Sequence, residues 1–257
     1  MSLLVSHHEG VAFLTLDRPA LHNAFDDSLI HDLTTAFNDA GHDPATRFVV
    51  LGAKGTTFSA GADLSWMRRM AAYTPAENLA DARALAHLMH VIDLCPKPTI
   101  ARVHGSAFAG AIGLIACCDI AVGVPEAQFA ITEVRLGLIP AVISPYLVRA
   151  MGARAARRWI LTGERFSAQE ALMLGLLHEV VEPEELDAAV HRHLDSLRLA
   201  PPGALAAAKR IVEMVDRPIN EAVIESTAQE IATARIAPEG RKGIAAFLEK
   251  RKPDWQA

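Results

Sequence analysis

Two short apolar runs, Phe48–Gly52 and Thr99–Val103, are each followed by a turn of glycine and small residues and then by a helical pattern. The first turn is Ser59-Ala-Gly-Ala62, ahead of Leu64–Met70. The second carries Gly105, Gly110 and Gly113 and runs to Asp119. A short run of buried-type residues reads as a strand, and strands alternating with helices pair in parallel. This order points to an α/β chain. A glycine turn that opens a helix also presents bare backbone N–H groups, backed by the helix dipole, which is the equipment for holding negative charge on an oxygen.

The remaining elements extend that frame. Val11–Leu16 reads as a strand, with Leu3–Ser6 pairing to it across Glu9-Gly10. Asp26 or Asp27 caps a helix with Leu29, Leu33 and Phe37 at helical spacing. Glu77–Leu94 is helical and is stopped by Pro96 and Pro98. Ile120–Gly123 and Gln128–Ile131 read as short strands, and beyond Pro140 the chain is mostly helical. Ser167-Ala-Gln-Glu170 is a capping box whose helix Gly175 closes. The reading is one core over residues 1–200 and a helical region over 201–257, too small to be secure alone.

Composition narrows the function classes. Of 257 residues, 51% are apolar and 21% charged, with a net charge of −5 and no long block of one sign. That excludes a disordered chain and gives no footprint for nucleic acid or a membrane surface. No basic and apolar leader opens the sequence and no apolar stretch is long enough to span a bilayer, so a cytoplasmic location is expected. Cys95, Cys117 and Cys118 are an odd set with an adjacent pair, which suits buried thiols in a reducing compartment. His87-x-x-His90 with Asp93 beyond has no supporting cluster, and no metal is expected.

Three constellations carry candidate chemistry. The turns at Ala60-Gly61 and Ala109-Gly110 would aim two N–H donors at one point, or pack small residues tightly. Glu133 stands among Ile131, Val134, Leu136 and Leu138, where burial would raise its pKa for proton transfer; the other reading is an ion pair with Arg135. The glycines match neither a dinucleotide fingerprint nor a phosphate loop.

Taken in order, these residues resemble the crotonase superfamily, also called the enoyl-CoA hydratase/isomerase family. The resemblance runs nearly the whole chain: Leu14-Thr-Leu-Asp-Arg-Pro19, Asn23-Ala24, Phe58-Ser-Ala-Gly-Ala-Asp63, Pro98-Thr-Ile-Ala101, Ala109-Gly110, Cys118-Asp119, Glu133 and Leu136-Gly-Leu-Ile-Pro140. It implies a spiral of ββα turns with a helical C-terminal region that builds trimers or hexamers. It implies an acyl-CoA thioester as substrate, with coenzyme A present only as part of it and no other cofactor. The N–H groups of Ala60 and Gly110 would hold the thioester oxygen, and the turn through Gly61, Ala62 and Asp63 would lie along the adenine end of CoA. Lys250 or Arg251 of a neighbouring subunit would approach the CoA phosphates.

One departure matters. Hydratases of this family carry two glutamates; the second matches Glu133 and the first falls at Gly113. The glycine-rich loop after the proline is altered to Ala141-Val-Ile-Ser-Pro145. A single glutamate at the Glu133 position is what 3,2-enoyl-CoA isomerases keep. The Ser59–Met70 run and Ile139–Tyr146 instead resemble hydratases of branched, carboxylated enoyl-CoAs such as 3-methylglutaconyl-CoA, with Arg68 or Arg69 meeting the distal carboxylate or forming a solvated basic face. The expected activity is enoyl-CoA hydration, with isomerisation and acyl-CoA binding without chemistry as alternatives. Ser144 or a second bound water are candidates for activating water.

Overall fold

A parallel sheet needs a crossover between neighbouring strands, and this chain makes each crossover do two jobs. The computed structural model describes residues 2–256. In chain order its first elements are β1 (Leu3–His8), β2 (Val11–Leu16), α1 (Asp27–His42), β3 (Phe48–Ala53), β4 (Thr57–Ser59), α2 (Leu64–Met70) and α3 (Pro75–Asp93). Then come β5 (Thr99–Val103), β6 (Ser106–Phe108), α4 (Gly110–Ala116), β7 (Ile120–Gly123) and β8 (Gln128–Ala130). A 3₁₀ turn (Glu133–Leu136) leads into α5 (Ser144–Met151), α6 (Ala153–Thr162), β9 (Phe166–Ser167), α7 (Ala168–Leu174), β10 (Glu179–Val180) and α8 (Leu186–Arg198).

One sheet runs β1-β2-β3-β5-β7-β10 and a smaller one runs β4-β6-β8-β9. The pairs β3/β4, β5/β6 and β7/β8 each give their first strand to the large sheet and their second to the small one, and then enter a helix. That is the ββα spiral, repeated three times. Pairing is parallel from β2 to β10 in the large sheet and from β4 to β8 in the small one. β1 is antiparallel to β2 across Glu9-Gly10, where both residues take positive φ.

Local chemistry sets the ends of these elements. Asp26 caps α1 by accepting from Leu29 N at 3.0 Å. Thr74 and Glu77 form a reciprocal capping box on α3, as Ser167 and Glu170 do on α7. Asp119, at the head of β7, accepts from the N–H and the hydroxyl of Thr99 at 2.8 and 2.9 Å, and so registers β7 on β5. β3 is buried along its whole length, as a central parallel strand must be. Phe37 of α1, Phe48, Phe58 and Phe129 fill the interior, each contributing about 1.5–3 kcal/mol on burial.

The chain divides into two compact units. One holds the described residues up to Cys95 together with Thr99–Val190; the other holds Pro96–Pro98 and the described residues from His191. The second unit contains α9 (Pro202–Val215), α10 (Glu221–Ile236) and α11 (Pro238–Leu248). Glu239 reaches back to the first turn of α9, accepting from Gly203 N at 3.1 Å and Ala204 N at 3.0 Å. Leu199 O accepts from Trp255 Nε1 at 3.1 Å and Gln256 Nε2 at 2.7 Å, which ties the C-terminal turn to the start of this unit. Among the described residues no helix is long and apolar enough to cross a membrane.

Candidate active site

The small sheet builds the site. β4, β6 and β8 lie side by side and parallel, so their C-terminal ends share one edge. Off those ends come Ala60-Gly-Ala62, Ala109-Gly110 and, three residues beyond β8, Glu133. Ala109 N donates to Ala130 O at 2.9 Å, carrying the β6–β8 pairing one residue past the strands. Crevices at the carboxyl ends of parallel strands are where α/β sheets take ligands.

Glycine brings the first two turns into contact. Gly61 has φ +87°, and a Cβ on it would stand 2.8 Å from Phe108 O and 3.2 Å from Ala109 Cβ. A Cβ on Gly110 would stand 2.8 Å from Phe25 Cζ. Phe25 in turn is bridged to Ala62: its N–H donates to Gly61 O at 2.8 Å and its carbonyl accepts from Asp63 N at 2.9 Å. Residues 25, 61–63 and 108–110 therefore form one close-packed knot. Asn23, fully buried at φ +53°, supports it by donating to Lys54 O at 2.7 Å and Thr57 O at 2.8 Å and accepting from Arg18 N at 2.9 Å.

The bonding pattern corrects the expected pair of oxyanion donors. Ala60 N is spent on His22 O at 2.9 Å, and Gly61 N donates to Ser59 Oγ at 3.2 Å. Because both neighbours of Ala62 bond to Phe25, the N–H of Ala62 points to the opposite side, and it donates to no group among the described residues. Gly110 N, at the first position of α4, is likewise open, as the first N–H groups of a helix are. The open donors are Ala62 and Gly110. Sequence reading placed Ala62 only in the CoA-binding turn, because alternation along so short a segment does not reveal which amide a bridge leaves open.

Ahead of Gly110, Ala109 is held at φ 50°, ψ −130°. A non-glycine residue there stores about 1–3 kcal/mol, and such strain gathers where an amide must be aimed.

Glu133 begins the 3₁₀ turn and is half-buried. Its Oε2 is shielded from solvent and has no hydrogen-bond partner among the described residues. Burial pushes its pKa above the usual carboxylate range, with its own N–H pulling weakly the other way. The alternative ion pair with Arg135 does not form. Arg135 donates to Thr162 O at 3.5 Å and packs beside Gly163. A desolvated carboxylate with an unused oxygen is a proton acceptor suited to neutral pH.

The other expected residues divide. Asp63 caps α2, accepting from Ser65 N at 2.8 Å and Trp66 N at 3.1 Å, and faces Arg18 at 3.7 Å; its hydrogen bond from the Ser65 hydroxyl, ahead of the opposing effect of burial, holds its pKa low. Its carboxylate is thus committed to the fold. Arg69 is paired with Asp27 at 2.6 Å. Arg68 is exposed and makes no ion pair or hydrogen bond among the described residues. Lys250 follows α11 in the second unit with φ 54°. Ser144 donates its hydroxyl to Ala141 O at 2.9 Å inside the altered loop. Among the described residues no three His, Cys, Asp or Glu side chains gather as a metal-ligand set, and Asp93 is held by Arg149.

Gly113 lies in the middle of α4 with Ala111–Ile115 all buried. Glycine there costs about 1 kcal/mol against alanine, so a packing reason is required. The reason is Ile143, whose side chain fills the space into which a residue at 113 would project. That partner was not legible in the sequence, although an isolated glycine in an apolar helix signals that one exists.

Residues 6–257 match the family model described as enoyl-CoA hydratase/isomerase. The crystal structure of an enoyl-CoA hydratase from Shewanella pealeana is 45% identical, with a TM-score of 0.96, covering 99% of this chain and 96% of that one. The crotonyl-CoA hydratase of Syntrophomonas wolfei is 33% identical over 264 residues, covering 99% of this chain and 97% of the relative. The 2,3-dehydroadipyl-CoA hydratase of Escherichia coli is 32% identical over 256 residues, covering 99% and 98%.

Proposed function

The chain belongs to the enoyl-CoA hydratase/isomerase family, and from this premise we propose that it adds water across the double bond of 2-enoyl-CoA thioesters. In this reading the thioester oxygen accepts from the N–H groups of Ala62 and Gly110. The carboxylate of Glu133 takes a proton from water as the hydroxide adds to C3. The electron pair moves through C2 onto the oxygen, and Glu133 returns the proton to C2. The two amides gain most when the oxygen carries full charge, which is where binding accelerates the reaction. The observation that carries the proposal is the pairing of two open amides with a desolvated carboxylate that keeps one oxygen unused, at one edge of the small sheet.

Product analysis tests it. Incubation with 2-enoyl-CoA should give 3-hydroxyacyl-CoA, and Glu133→Gln should lose about 10²–10⁴ of the rate while still binding acyl-CoA, the usual contribution of a general base. A variant that kept most of its rate would remove Glu133 from the mechanism. The rate should rise with pH through a midpoint above the ordinary carboxylate range, because the base must be ionised.

The glycine at 113 favours a second reading, 3,2-enoyl-CoA isomerisation, in which Glu133 alone carries a proton between C2 and C4. A 3-enoyl-CoA substrate separates the two: a shifted double bond with no hydroxyacyl product supports isomerisation. Tight binding without turnover of either substrate would support a binding protein that has lost its chemistry.

The unpaired state of Arg68 supports a substrate with a distal carboxylate, such as 3-methylglutaconyl-CoA, since a guanidinium suits a planar anion. Exposed apolar side chains in the second unit, among them Ile219, Phe247 and Leu248, support a homo-oligomer, a trimer or hexamer in which Lys250 of a neighbour reaches the CoA phosphates.

A further inference from the structure

Gly113 and Ile143 come from different elements and share one volume. A Cβ built on Gly113 collides with Ile143 Cγ2 and stands 2.9 Å from Ile143 Cβ and 3.2 Å from Met89 Sδ. Rotating Ile143 about χ1 would move Cγ2 but leave Cβ 2.9 Å away, so a side chain at 113 requires a backbone shift as well. The backbone that carries Ile143 is also fixed. Ile143 is 2% exposed, its carbonyl accepts from Leu147 N at 3.1 Å, and the loop is pinned by Ser144 Oγ on Ala141 O. Met89, fully buried in α3, closes the other side.

We propose that Ile143 is the specificity-determining residue of this site: it fills the place that a side chain at 113 would need and so holds the reaction to the one carboxylate of Glu133. The proposal rests on the reading of Glu133 as the proton carrier. Under it, the proton taken from water and the proton delivered to C2 pass through the same group. Position 113 can carry a second carboxylate only when residue 143 has no Cβ.

The test is a set of double variants assayed with crotonyl-CoA. Gly113→Glu alone should lower Tm and slow hydration at least about tenfold. Gly113→Glu/Ile143→Gly should recover Tm, exceed Gly113→Glu in kcat by at least about tenfold, and add a second ionisation to the pH profile of kcat/KM. Gly113→Glu/Ile143→Ala, which keeps the Cβ, should recover little. The proposal is overturned if Gly113→Glu matches the Ile143→Gly double variant in Tm and rate. It is also overturned if that double variant folds with recovered Tm but gains neither rate nor a second ionisation. Should the glutamate variants not fold, melting of Gly113→Ala, Ile143→Gly and their double variant decides: a double that loses clearly less than the sum of the two single losses supports the shared volume, and additive losses refute it. Retention of rate in Glu133→Gln would sink the reading of Glu133 separately, because the thermal coupling of 113 and 143 does not depend on it.

Discussion

Gly110→Ala probes the knot at the two open amides proposed as oxyanion donors. The added methyl would stand 2.8 Å from Phe25 Cζ, about 0.7 Å inside the roughly 3.5 Å at which carbons pack. Phe25 cannot yield: it is 3% exposed, its backbone is bridged to Ala62, and its ring lies 6.1 Å from that of the buried Trp66. The start of α4 must shift instead, and Gly110 N shifts with it. Overpacking of this kind costs about 1–3 kcal/mol, which for a chain of this size lowers Tm by several degrees. An oxyanion donor works between about 2.7 and 3.1 Å, and losing one outright costs about 10²–10³ in kcat. A displacement of some tenths of an ångström should therefore lower kcat about tenfold to a hundredfold, with a smaller change in KM, because the uncharged carbonyl gains less from the donor than the oxyanion does. Steady-state kinetics on crotonyl-CoA and a thermal melt measure both effects. Phe25→Leu in the same chain removes the tip of the ring and should restore part of kcat. Unchanged kcat and Tm in Gly110→Ala, or no rescue by Phe25→Leu, would mean that the Phe25 ring does not set the position of Gly110 N.

Two further outcomes follow from groups around the site. Glu133 is harder to ionise folded than unfolded, so its ionisation destabilises the fold: the penalty is absent below the ordinary carboxylate range, grows as pH rises through the raised pKa, and stays above it. Glu133→Gln should therefore melt higher than the parent at pH 8 and alike near pH 4, and an equal gain at both pH values would contradict the cause given. Asn23→Ala leaves Lys54 O, Thr57 O and Arg18 N without their partner and puts alanine at φ +53°, which should cost about 2–4 kcal/mol in urea unfolding; a loss below about 1 kcal/mol would mean that water replaces the amide.

Much of the scaffold was legible because its signals are local. Apolar runs gave β2, β3, β5 and β7, and capping residues placed the starts of α1 and α7. The small sheet was not legible beyond β8. β8 is as short, but its apolar run continues to Ile131; β4, β6 and β9, of two or three residues, have no such run and exist because the spiral lays them side by side. The site divides in the same way. Glu133 is visible as a carboxylate among apolar residues, and Gly110 as a helix opening. Ala62 is not, because what frees its N–H is a bridge to Phe25, distant in sequence. Ile143 is not, because its role depends on the glycine that faces it from α4.

In the proposed reaction Glu133 and the two open amides deliver water to C3 of an enoyl thioester. Turnover of crotonyl-CoA in ¹⁸O-labelled water, followed by mass spectrometry, tests this step. The parent protein should give 3-hydroxybutyryl-CoA carrying one labelled oxygen at C3, and Glu133→Gln almost none. Unlabelled or absent hydroxyacyl product from the folded parent, or equal labelling by the Glu133→Gln variant, would contradict it.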